Sequence, residues 1–192
     1  MEKTEINDTI IDEWSNVAIP PPPDLKKVSV DPKVTAFLVL DIQNQNCGAR
    51  PRCMVTVPKI KKFLTEARAR GMLIVYSLFR MAKVTDIIAD VAPVKGEAVV
   101  KTGADKFFRT DLERILEEKN IQTVVLAGTA AHGAVLHTAA GAALRGLQVV
   151  VPVDGMSAAE LYAEQYTAWH LVNSPGTKSQ TTLTRFDLIT FS

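Results

Sequence analysis

Short apolar runs recur along the chain at residues 35–41, 72–79, 97–101, 123–128 and 147–153. The stretches between them repeat apolar positions with a helical period, and strands alternating with helices predict a parallel sheet with crossover helices. The helix after the first run has Pro58 at its start, places Ile60, Phe63, Leu64 and Ala67 on one face and stops at Gly71. Thr110-Asp111-Leu112-Glu113 reads as a capping box opening a helix with Leu112, Ile115 and Leu116 inward. Ser157-Ala158-Ala159-Glu160 reads as a second box, before a helix carrying Leu161, Tyr162, Trp169 and Val172. The Ala-rich segment from about 132 to 145 predicts a helix lying close to the sheet, and a last strand is expected within 180–188. The fold class is therefore α/β: three layers, α/β/α, around a mostly parallel sheet of about six strands.

Residues 1–33 read as an arm and 34–192 as the domain. Ile19-Pro20-Pro21-Pro22-Pro23 imposes an extended polyproline segment. Ile10, Ile11 and Trp14 ahead of it are apolar enough to dock, either on a neighbouring subunit or on the arm's own domain.

At 192 residues and a net charge of +1, composition points to one ordinary globular domain and to no polyanion partner. The lysines are scattered, and those at 59–62 suit the solvated face of a helix, so no nucleic-acid stripe is expected. No run approaches the roughly 18–20 apolar residues of a membrane span. The opening segment is acidic, unlike a signal peptide, so a cytoplasmic location is expected by default. Cys47 and Cys53 are the only cysteines. They are expected to be free loop thiols, with a reactive thiol beside Arg50 and Arg52 as the alternative.

Candidate chemistry collects at the strand ends. Asp41 closes the first run, Lys101 the third, and the fourth leads into Gly128-Thr129-Ala130-Ala131-His132-Gly133-Ala134. Parallel strands deliver such residues to one crevice at the carboxyl edge of the sheet, where α/β folds bind ligands. A carboxylate there gains proton affinity from burial unless a cation offsets it, and a carboxylate–ammonium pair suits proton transfer.

The segments LDIQNQN (40–46), VVKTGADKFFRTDL (99–112) and VVLAGTAAHGAVLHTAAGAALRGLQVVVPVDGMSA (124–158) resemble the isochorismatase-like cysteine hydrolase superfamily. The resemblance implies a catalytic Asp at Asp41 and a catalytic Lys at Lys101, followed by an aromatic residue at Phe107 or Phe108, then Thr110 and Leu112. It puts the nucleophile position at Ala134, a cis peptide at Thr129–Ala130, and an oxyanion hole at the backbone N–H groups of Ala130 and Ala134. Gln43, Arg80 and Phe107 are the candidates for substrate contact.

The Asp-x-His of metal-dependent nicotinamidases has no counterpart in this chain, so neither metal nor other cofactor is expected. Alanine cannot be a nucleophile, and three accounts stay open. The leading one is a cysteine-type amidohydrolase of a small amide, carbamoyl or ureido substrate, with its nucleophile removed. The second is isochorismatase-type vinyl ether cleavage without a nucleophile, and the third is a ligand-binding pseudoenzyme. A homo-oligomer is expected.

Overall fold

The computed structural model describes residues 9–192. Strands β1 (Val28–Val30), β2 (Thr35–Leu40), β3 (Leu73–Phe79), β4 (Ala98–Thr102), β5 (Thr123–Thr129), β6 (Gln148–Pro152), β7 (Met156–Ser157), β8 (Thr181–Thr184) and β9 (Ile189–Phe191) alternate with helices α1 (Pro51–Met54), α2 (Val57–Ala69), α3 (Leu112–Glu118), α4 (Leu136–Leu144) and α5 (Leu161–Asn173). The main sheet runs β4-β3-β2-β5-β6-β8, with β7 pairing the end of β5, and every pairing is parallel. This is the three-layer α/β/α architecture. Central strand β2 is buried along its whole length, so its apolar residues feed a core on each face of the sheet.

Helix α2 buries Ile60, Phe63, Leu64 and Ala67 as its periodicity requires, and the chain leaves it through Gly71 at φ +71. Two capping boxes are not formed. At α3 the Thr110 hydroxyl accepts from Leu112 N, but Asp111 makes no side-chain cap. Ser157 lies in β7, and α5 starts only at Leu161, where Leu161 and Tyr162 are exposed while Thr167 and Leu171 face inward.

A small parallel pair, β1 with β9, was not foreseen, because three-residue strands so far apart in sequence carry no local signal. Phe37, Phe63, Phe186 and Phe191 pack edge-on, tilted or stacked between that pair and α2. Before β1 the chain runs beside β8, where Lys26 N donates to the Leu183 carbonyl and Thr184 Oγ1 to the Lys26 carbonyl. Ile10, Ile11 and Trp14 are exposed, which excludes the reading in which they pack on their own domain.

Cys47 and Cys53 form a disulfide with Cα atoms 5.2 Å apart, and both are buried in the core, which corrects the expectation of free loop thiols. The reason is local. A five-residue helical turn over Asn44–Gly48 folds back onto α1, bringing together two sulfurs that spacing alone leaves undetermined.

Candidate active site

Leu40, the last residue of β2, is paired with Ser77 of β3 on one side and Gly128 of β5 on the other. Asp41 therefore leaves the sheet between these two strands, with φ +54, a left-handed conformation that Asp tolerates better than most residues. Gly128 (φ +152) is required by the neighbouring chain, since a Cβ there would run into the Leu40 carbonyl. After Gly128 the Thr129–Ala130 peptide is cis, and a helical turn over Ala131–Val135 leads into α4.

The ammonium that meets Asp41 belongs to Lys106, and this corrects the sequence expectation for Lys101. Lys106 Nζ donates to Asp41 Oδ2 at 2.7 Å and to the Gly103 carbonyl at 2.6 Å, with its side chain fully buried. Lys101 is exposed. In edge strand β4, alternation puts Lys101 on the face opposite Val100, and there, at the end of the strand, its side chain is exposed. Lys106 is fixed at every polar atom. Its N–H donates to Thr138 Oγ1 of α4, and its carbonyl accepts from Thr110 Oγ1. The loop that brings the cation is thus bound to the helix that follows Ala134.

Ser77 was missed. Its hydroxyl donates to Asp41 Oδ1 at 2.7 Å and accepts from Asp41 N–H at 3.2 Å, and it is buried. The available signal was a lone serine within the otherwise apolar and aromatic run Ile74-Val75-Tyr76-Ser77-Leu78. Burial pushes the Asp41 carboxyl above its ordinary pKa of 3.8, against the opposing pull of the Lys106 charge and the Lys106 and Ser77 hydrogen bonds. The group thus combines enhanced proton affinity with a fixed orientation.

The remaining candidates separate by environment. Gln43 is buried, accepts from Asn46 Nδ2 through its Oε1, and leaves its Nε2 donor unpartnered. Ala134 is buried in the turn after β5, where its methyl group offers no nucleophile. Phe107 is a core residue with the Arg145 guanidinium 4.3 Å above its ring, which corrects its placement as a substrate contact. Arg80 is exposed at the end of β3, its guanidinium 5.5 Å from the Phe79 ring centre. The chain's three histidines, His132, His137 and His170, line an outer groove of about 770 Å³ between α4 and α5, together with Tyr162 and Tyr166. None of them is among the groups bonded to Asp41. Arg52 pairs with Glu164, whose Oε1 also accepts from Ala158 N–H, so the disulfide loop is joined to the start of α5.

A secreted isochorismatase effector of Verticillium dahliae is 34% identical over 110 residues, which are 52% of this chain and 58% of that protein. The match thus spans little more than half the length of that relative. N-carbamoylsarcosine amidase of Thermoplasma acidophilum is 26% identical, with a TM-score of 0.68 over 80% of this chain and 96% of that one. A cysteine hydrolase of Pseudomonas syringae shares the fold, with a TM-score of 0.74 at 18% identity, covering 86% of this chain and 94% of its own. The isochorismatase domain model matches residues 35–183, which contain Asp41, Ser77, Lys106 and Ala134. By that match the chain belongs to the isochorismatase family of hydrolases.

Proposed function

We propose that the chain hydrolyses a vinyl ether of the isochorismate type by proton transfer from Asp41, without a covalent intermediate. One observation carries this reading: the sheet edge presents a buried carboxyl of raised proton affinity, while the neighbouring strand's turn presents alanine at the nucleophile position. Such a pair lacks the means for acyl transfer and has the means for acid catalysis. The Verticillium dahliae relative, an isochorismatase by name, supports the same choice.

In this mechanism the Asp41 proton passes to the terminal methylene carbon of the substrate's enolpyruvyl group. The C=C π pair forms the new C–H bond and leaves an oxocarbenium ion stabilised by the ether oxygen. Water adds to the cationic carbon and returns a proton to Asp41. The hemiketal then collapses to pyruvate and the free alcohol. Lys106 makes the intervening Asp41 carboxylate tolerable in a buried site. The unpartnered Gln43 Nε2 and the backbone N–H groups of Ala130 and Ala134 are assigned to substrate oxygens.

Pyruvate release from isochorismate is the test. The unmodified chain should turn over, and Asp41→Asn should lower the rate by about 10²–10⁴. An unmodified chain that releases no pyruvate, or an Asn variant that keeps the rate, refutes the reading.

The turn after Gly128 and the 26% identity to N-carbamoylsarcosine amidase favour a second reading, the amidohydrolase of a small amide, carbamoyl or ureido compound with its nucleophile removed. Ala134→Cys should then create an amidase. A variant that folds and stays inert towards such a panel excludes it.

A further inference from the structure

We infer that Ser77 is a positioning residue that keeps the transferable proton of Asp41 on Oδ1. The inference rests on the acid role of Asp41 proposed above and goes on to assign the oxygen. The two carboxyl oxygens have partners of different kinds. Oδ2 faces the Lys106 ammonium at 2.7 Å, and an ammonium has donors only. A proton on Oδ2 would confront that N–H and sacrifice a charge-assisted bond. Oδ1 faces the Ser77 hydroxyl at 2.7 Å. A hydroxyl donates and also accepts, so it accommodates both the ionised and the protonated oxygen by turning its hydrogen.

Ser77 also fixes where Oδ1 lies. The same hydroxyl that donates to Oδ1 accepts from the Asp41 N–H at 3.2 Å, so backbone and carboxyl are held together at one point. Lys106 is equally fixed through Gly103, Thr138 and Thr110. With both partners immobile, the carboxyl has no freedom to exchange its oxygens by rotation. The substrate's methylene carbon is therefore protonated from the Oδ1 side, next to β3.

The Asp41 carboxyl signal, followed by carbon-13 NMR in the full chain labelled at aspartate, tests this without any substrate. Ser77→Ala removes a bond that favours the anion, and should raise the proton affinity of Asp41 by about tenfold. Ser77→Thr keeps the hydroxyl and should titrate like the unmodified chain. With isochorismate, Ser77→Ala should lower kcat with little change in KM and move the alkaline limb of the kcat profile upward to match the NMR titration. The inference is overturned if Ser77→Ala titrates like the unmodified chain, or if Ser77→Thr shifts as far as Ser77→Ala. Retained turnover in Asp41→Asn would instead overturn the proposed reaction, and the NMR result would distinguish the two failures.

Discussion

Asp41 and Lys106 form the most demanding contact in the molecule, since both side chains are nearly or fully withdrawn from water. Removing one partner of such a pair leaves the other charge uncompensated. Lys106→Met should therefore destabilise the chain by about 3–5 kcal/mol near neutral pH, whereas Lys101→Met should change stability by less than about 0.5 kcal/mol. Urea unfolding of the two variants side by side decides between the lysines. A second prediction concerns pH. Folding raises the proton affinity of Asp41, so its stabilising contribution is fully present below the unfolded value near 3.8 and is lost as pH rises through the higher folded value. Asp41→Asn stays neutral throughout. Its stability relative to the unmodified chain should therefore rise across that window and then level off, as read from unfolding midpoints in a pH series. The placement of Asp41 at the carboxyl edge of the sheet was legible because it follows the apolar run at residues 36–40, whereas its catalytic role is implied by the family resemblance. The Lys was not: two lysines of the same segment compete, and the first lies exposed at the end of edge strand β4. The second reaches inward only through a loop whose path depends on Thr138, far along the chain.

Among the elements, the long periodic ones were legible and the short non-local ones were not. β2, β3, β5 and α2 announce themselves because each buries a continuous face, and their observed bounds differ from expectation by a residue or so. The β1–β9 pair and the turn closed by Cys47 and Cys53 depend on contacts that only the assembled fold supplies. That disulfide lies a few residues past Asp41 and Gln43, and it closes so small a loop that chain entropy gives it a modest weight. Replacing both cysteines by alanine should cost about 2 kcal/mol. Denaturant curves of this variant, and the failure of the unreduced native chain to take up iodoacetamide, check the assignment.

At the scale of the whole molecule, the arm is the part whose chemistry is unfinished. Ile10, Ile11, Trp14, Val17 and Ile19 are exposed ahead of the four prolines, on a stretch that includes a short helical turn over Trp14–Asn16, while residues near Lys26 are bound to β8. Light scattering on the full chain should report a homo-oligomer, and a chain beginning at Asp24 should have a smaller assembled mass. An unchanged mass would leave the arm without a role in assembly. No helix among the described residues is long and apolar enough to cross a membrane. The cytoplasmic location expected by default has a counterweight, because disulfides such as Cys47–Cys53 persist in oxidising compartments.

The β1–β9 pair also bears on how the chain is made. Thr190 Oγ1 donates to the Val28 carbonyl across a separation of 162 residues, so β1 waits for β9, the last of the described strands. Until residues 189–191 emerge, β1 is an unpaired edge and the phenylalanines beneath it lack part of their cover. The clasp between β1 and β9 therefore closes only once β9 has been made. A chain cut before Ile189 keeps every strand of the main sheet but leaves β1 without its partner and the phenylalanine cluster without Phe191.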